Sequence, residues 1–301
     1  MTDSVIPFAL VDVFTDRPLE GNPLALVPDA DELPETLMRR IAGEFNQAET
    51  TFLLRPTQNK ADWRLRSFTA AGVEVFGAGH NALGAWWWLA ATDRLVRHSP
   101  TDSWHQEIGS AVLPVTVTAR PGGVIDVSMR QQTPEYGEEL TDIRELADAL
   151  NVDRNRLGAA NDLPVAQVVS TGAAHLMVGL RDRHTVDSAS PDAASLRELL
   201  PDVGGQGVYL YSLDPVEEDA HAHTRFVNPV AGITEDPATG SAAGPLASLL
   251  RRHGRVGDRV SIIQGHTMGR PSRIQVTTDG QAPHIIGRAA LAATGQMHVN
   301  Y

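Results

Sequence analysis

The sequence predicts an α+β protein of two similar domains, each a curled mixed sheet around a central helix. Three observations lead there. The chain has 301 residues, about twice the roughly 150 residues of a common domain. Short β-branched and aromatic runs alternate with Gly, Pro and Asn, as strands and turns do. Two apolar helical segments, each opened by a glycine, stand at corresponding places in the two halves.

The elements follow in order. Val11 to Phe14, Leu24 to Val27, Thr50 to Leu54 and Trp63 to Phe68 read as strands, and Pro34 to Phe45 has helical spacing. Val112 to Thr118 and Val124 to Met129 alternate in polarity and are joined by Ala119-Arg120-Pro121-Gly122-Gly123, a hairpin signal. Polar Gln131-Gln132-Thr133-Pro134 then marks a domain boundary near residue 130, followed by a helical pattern from Thr141 to Leu150 and strands at Gln167 to Val169 and Leu176 to Leu180. The expected division is 1–130 with 291–301, and 131–290. In the first half Gly79 follows Gly21 by 58 residues, and in the second Gly240 follows Gly172 by 68. The segments they open, His80 to Ala91 and Ser241 to Arg252, are apolar nearly all round, as expected of helices enclosed by their own sheets.

Composition excludes several classes of function. Lys and Arg number 25 against 37 Asp and Glu, a net charge of −12, which repels nucleic acid and anionic lipid. Without cysteine there are no disulfides, thiolate metal sites or cysteine nucleophiles. The most apolar run, Ala82 to Ala91 with Trp86, Trp87 and Trp88, is half the length of a membrane span; these tryptophans are expected in a core. The N-terminus carries no signal-peptide pattern, so the expectation is a soluble, cytoplasmic protein.

Candidate chemistry lies at the turns. Glu49, between a helix end and an apolar strand, stands where burial raises a carboxyl pKa towards neutrality, which suits a group that takes and returns a proton; it reads equally as a solvated loop carboxylate. His80 follows Gly79 at a helix start, able to hydrogen-bond a ligand or simply to cap. Asp236 precedes Pro237 in the loop before Gly240 and Ser241, and is also an ordinary turn residue. The first-turn N–H groups at Gly79 and Gly240 suit a small carboxylate, although both glycines also read as plain turn residues. Ser241 invites a Ser-His-Asp hydrolase reading, but Thr239 to Gly244 does not match G-x-S-x-G. His221 and His223 have strand spacing for a metal pair, yet no third ligand is near, and the acidic stretch around them reads as a solvated loop. Gly77-Ala78-Gly79 lacks the third glycine of a dinucleotide fingerprint.

Several motifs in order resemble the PhzF-like phenazine biosynthesis isomerases, a branch of the diaminopimelate epimerase-like fold. They are Val11-Asp12-Val13-Phe14-Thr15 with Gly21-Asn22-Pro23, Ala48-Glu49-Thr50-Thr51-Phe52, Glu74 through Ala78-Gly79-His80, Glu235 through Ala242, Gln264-Gly265, and Gly269-Arg270-Pro271-Ser272. The resemblance implies two pseudo-repeated β-roll domains with the site between them, in a homodimer. It implies isomerisation of trans-2,3-dihydro-3-hydroxyanthranilate, a hydrogen moving from C3 to C1 before the product ketonises, with neither cofactor nor metal. Related racemases use one cysteine from each half; lacking cysteine, this chain would rely on Glu49, supported by His80 and Asp236. The substrate carboxylate would be held by the N–H groups at Gly79 and His80 and at Gly240 and Ser241.

Two departures bear on substrate. The chain reads Phe68-Thr69-Ala70 and Gly79-His80-Asn81 where the family commonly has Phe-Thr-Pro and Gly-His-Pro or Gly-His-Ala, and Asn81 is expected as an added polar substrate contact. Many chains of the family belong to organisms that make no phenazine, so the expected substrate extends to other small amino or hydroxy acids. A non-catalytic binding protein on the same fold and a metal-dependent hydrolase at His221 and His223 are the competing readings.

Overall fold

A computed structural model describes residues 3–278 and 280–300. The chain divides into two compact units, Met1–Met129 with Ile286–Tyr301, and Arg130–Ile285.

The first unit holds β1 (Asp3–Val13), β2 (Asn22–Val27), α1 (Glu35–Phe45), β3 (Glu49–Leu54), β4 (Trp63–Phe68), β5 (Glu74–Val75), α2 (His80–Ala91), β6 (Thr101–Ile108), β7 (Ala111–Arg120) and β8 (Val124–Arg130). The second holds β9 (Glu135–Glu139), α3 (Arg144–Leu150), β10 (Ala166–Ser170), β11 (Ala174–Gly179), α4 (Arg183–Ser188), α5 (Ala193–Val203), β12 (Gly207–Ser212), β13 (Ala222–Asn228), β14 (Ile233–Asp236), α6 (Gly240–Arg252), β15 (Arg259–Gln264) and β16 (Ser272–Thr278), before β17 (Pro283–Gly287). The last strand, β18 (Ala289–Asn300), rejoins the first unit antiparallel to β1. That return begins at Ile286 rather than at 291, because Arg288 is already anchored there: its carbonyl accepts from Phe14 N at 2.7 Å and its guanidinium holds Asp126 and Asp16.

The strand pairings repeat. In the first unit β1 and β2 are antiparallel, β2 and β3 parallel across α1, β3 and β4 antiparallel, β4 and β5 antiparallel, and β4 and β6 parallel across α2. The second unit gives the same series: β10 and β11, β11 and β12 across α4 and α5, β12 and β13, β13 and β14, then β13 and β15 across α6. A parallel pair needs a crossover, so α2 and α6 are fixed as the helices that each mixed sheet curls around. This is an α+β fold. The repeat sets the register of equivalent positions: Leu24 opposes Glu49 as His175 opposes Gly207.

Both central helices are buried as their composition requires. In α2 every residue from His80 to Ala90 except Trp87 is buried, and Trp86 donates its indole N–H to Gln106 Oε1 at 2.9 Å. In α6 the run Ala242 to Leu250 is buried throughout. A further core in each unit backs the sheet: Leu37, Met38 and Ile41 of α1 on Phe52 and Phe68, and Leu196 and Leu200 of α5 with Leu146 and Leu150 of α3 on Leu176, Val208 and Leu210. Among the described residues no helix is long and apolar enough to cross a membrane.

Two sequence expectations change. Helix α3 starts at Arg144 rather than Thr141, and α4 and α5 were not foreseen; both stand behind Asp N-caps, Asp182 and Asp192, whose carboxylates accept from Thr185 N and Ser195 N. The stretch with His221 and His223 is not a solvated loop throughout. His223 lies within β13, fully buried, its Nε2 2.7 Å from Asp187 Oδ1, and His221 Nδ1 accepts from Ser261 N. Among the described residues no three potential ligands gather as a metal site.

Candidate active site

Glu49 is placed by the way α1 ends. Asn46 takes a left-handed conformation (φ 50°, ψ 35°) and its N–H returns to Ala42 O, which stops the helix. Three residues later β3 begins with Glu49, half-buried beside Leu24 of β2, while the next residue, Thr50, is fully buried. The carboxylate is thus carried on the first residue of a strand held on both sides.

His80 is the first residue of α2. Burial pushes its imidazole down to about 4, so the ring is neutral at ordinary pH. Its Nε2 is buried and has no hydrogen-bond partner among the described residues. An orphaned nitrogen of this kind costs about 1–3 kcal/mol, and such groups gather where a ligand will satisfy them.

Asn81 does not act as expected of a substrate contact. It is 1% exposed, and its side chain accepts from Gly79 N at 2.7 Å while its amide donates to Gly77 O at 3.0 Å and Ser67 Oγ at 3.1 Å. Ser67 is held in turn by Thr51 Oγ1 at 2.8 Å. Asn81 therefore ties the Gly77 to Gly79 turn to β3 and β4. The same bond commits the Gly79 N–H, which was expected to hold a substrate carboxylate.

In the second unit the loop carrying Asp236 is fixed by a buried polar network. Gln264 donates to Asp236 O at 2.6 Å, and its Oε1 accepts from Thr239 N at 3.1 Å and Tyr209 OH at 2.9 Å. Tyr209 accepts from Thr224 Oγ1 at 2.9 Å, and the hydroxyl of Thr239 donates to Asp236 Oδ2. Satisfied networks of this sort rigidify what they hold. Gly240 and Ser241 open α6, and the first bonds back into the loop are made by Ala242 and Ala243 to Thr239 O, so the N–H groups of Gly240 and Ser241 lie ahead of the intrahelical ladder. Ser241 is half-buried and its Oγ lies 3.2 Å from His175 Nε2.

The repeat extends to a pair of ion-pair forks. Arg66 of β4 grips both oxygens of Glu74 at 2.7 Å, and Arg225 of β13 grips both oxygens of Glu235 at 2.9 and 2.8 Å. Glu74 and Glu235 each stand five residues ahead of the glycine that opens the central helix. The hydrogen bonds it donates to Glu74 hold the Arg66 guanidinium well above its ordinary pKa. Burial pushes the Glu235 carboxyl up, but its bonds from Arg225 and Thr267 outweigh this and keep it below the usual range. Each fork fastens the short strand that leads into a helix N-terminus. Glu49, Asp236 and His175 have no counterpart across the repeat, where Gly207, Val75 and Leu24 stand instead. The scaffold is duplicated, and these three polar residues are not.

Sequence reading missed His175, Tyr209 and Arg225. Their partners lie 66, 55 and 10 residues away. One signal was available for His175: it stands three residues after Gly172 as Leu24 does after Gly21, a polar residue in a buried strand position.

Comparison with known proteins agrees with the fold. The trans-2,3-dihydro-3-hydroxyanthranilate isomerase of Pseudomonas aeruginosa is 33% identical over 305 residues, covering 97% of this chain and 99% of that protein. The uncharacterized isomerase YddE of Escherichia coli K12 is 30% identical, covering 89% and 88%. The crystal structure of a Bacillus anthracis phenazine biosynthesis protein of the PhzF family superposes with a TM-score of 0.87 at 26% identity, covering 98% of this chain and all of that one. A hydroxyproline epimerase from Agrobacterium vitis shares the fold, with a TM-score of 0.64 at 15% identity. This fold is therefore one the chain shares with proteins of the PhzF family. The family profile described as phenazine biosynthesis-like protein matches residues 11–295, and the chain belongs to this PhzC-PhzF family and is an isomerase.

Proposed function

We propose that the protein isomerises trans-2,3-dihydro-3-hydroxyanthranilate, or a small amino or hydroxy carboxylic acid of the same shape, with Glu49 as its single acid and base. The observation that carries this is the 33% identity to the Pseudomonas aeruginosa isomerase across nearly the full length of both chains. The Glu49 carboxylate takes the C3 proton, and the electron pair left behind moves along the conjugated diene. The same carboxyl group returns the proton at C1, giving an enol that ketonises. One base on one face is enough for this transfer, and no net proton is consumed.

The other residues hold the reactant. A neutral His80 with an unpartnered, buried Nε2 supplies a hydrogen bond without adding charge. Asp236, on its braced loop, takes the substrate amino group. The Ser241 hydroxyl and the N–H groups of Gly240 and Ser241 take the carboxylate, where the α6 N-terminus favours an anion. The test is steady-state turnover of trans-2,3-dihydro-3-hydroxyanthranilate by wild type and Glu49→Gln. Loss of proton transfer removes on the order of 10²–10⁴ in kcat. A Glu49→Gln variant as active as wild type contradicts the assignment.

A further inference from the structure

We propose that His175 is a positioning residue that turns the Ser241 hydroxyl into a hydrogen-bond donor for the substrate carboxylate; this rests on the assignment of Ser241 to carboxylate binding made above. His175 lies in β11 and is 3% exposed, while Ser241, on the first turn of α6, is half-buried and open to a ligand. The imidazole is gripped by packing, its ring 4.9 Å from that of Phe226 at 81°, edge to face. Its polar contact is Nε2 to Ser241 Oγ at 3.2 Å, and Nδ1 is buried with no hydrogen-bond partner among the described residues.

The tautomer follows from which orphan is tolerable. Burial pushes the ring down to about 4, so it is neutral and carries one N–H. With the hydrogen on Nδ1, a buried N–H would point at nothing, and orphaned donors are rarer than under-used acceptors. With the hydrogen on Nε2, the N–H donates to Ser241 Oγ and only a lone pair on Nδ1 goes unused. Ser241 then accepts from His175 and its own hydrogen is sent elsewhere. Beside the N–H groups of Gly240 and Ser241 it completes a set made only of donors, which suits a carboxylate. The arrangement is also the reverse of a serine nucleophile. There the imidazole must accept the hydroxyl proton at Nε2 while a third group holds Nδ1–H, and among the described residues no such group stands at Nδ1 of His175.

The experiment is calorimetric binding of 3-hydroxyanthranilate, which carries the carboxylate, amino and hydroxyl groups but is not turned over, with 2-aminophenol as the same ring lacking the carboxylate. His175→Phe keeps the ring packing and removes the N–H; His175→Gln keeps an N–H donor. The expected result is a Kd for 3-hydroxyanthranilate raised about ten-fold in His175→Phe and in Ser241→Ala, the loss of one hydrogen bond to a charged group. The double variant should be no weaker than either alone, His175→Gln should recover most of the affinity, and binding of 2-aminophenol should not change. Weakening by Ser241→Ala but not by His175→Phe, or additive losses, overturns the role of His175 and leaves the substrate reading standing. No effect of Ser241→Ala, or no binding by wild type, overturns the carboxylate assignment itself and this inference with it.

Discussion

Replacing Asn81 by Ala should destabilise the protein by about 2–3 kcal/mol through its bonds within the protein alone. The magnitude follows from its three bonds. Ser67 Oγ keeps its partner Thr51, so its loss is one ordinary hydrogen bond of about 1 kcal/mol. Gly79 N and Gly77 O belong to half-buried and exposed residues and can recruit water, so each contributes about 0.5–1 kcal/mol. Together the three bonds account for the loss of about 2–3 kcal/mol. Asn81→Asp separates this account from a simple packing effect. Its charged form can still accept from Gly79 N but faces the carbonyl of Gly77, whereas its protonated form donates there. The folded-state pKa is therefore raised above the unfolded value of about 3.9, so the variant recovers stability below that pH and loses it as pH rises through the folded pKa. Urea denaturation of wild type and both variants at pH 4.5 and 7.5 reads these differences, each variant compared with wild type at the same pH. A loss below about 0.5 kcal/mol in Asn81→Ala, or an Asn81→Asp deficit independent of pH, would refute the reasoning.

Other outcomes follow from the same structure. His80 and His175 are both buried and pushed down to about 4, against about 6.5 when unfolded. Their stabilisation is complete above pH 6.5 and is lost as pH falls towards 4, about 3 kcal/mol for each ring; the wild-type slope of stability against pH should flatten in His175→Phe. Arg225→Met leaves half-buried Glu235 with only its bond from Thr267 and removes a donor to the carbonyls of Val186 and Ala189, so it should cost about 2–3 kcal/mol in denaturant melts. Tyr209→Phe removes one member of the network that holds the Asp236 loop and should lower kcat more than it lowers stability, read by comparing turnover with melting temperature.

How much of this was legible in the sequence depended on whether the cause was local. The central helices could be read because their apolar composition and opening glycines are contiguous, and His80 to Ala91 was placed to the residue. The hairpin of β7 and β8 was legible because Pro121-Gly122-Gly123 leaves few other conformations. Helices α4 and α5 were not, since a six-residue segment and one preceded by Pro191 carry too little period to outweigh turn signals. At the candidate site, the placement of Glu49 and Asp236 at element ends was legible. The direction in which Asn81 points was not, because a turn asparagine serves backbone or ligand equally well and only Ser67, fourteen residues away, decides between them. His175 and Ser241 meet across 66 residues, a contact that no local pattern encodes.

The central claim is that one carboxyl group, Glu49, carries the proton from C3 to C1. Its most direct test is turnover of trans-2,3-dihydro-3-hydroxyanthranilate deuterated at C3, in ordinary water, with the label in the product located by NMR. The account predicts that part of the deuterium reappears at C1 in the wild-type product, and that Glu49→Gln forms no product. Deuterium lost wholly to solvent with Glu49→Gln still active would contradict it.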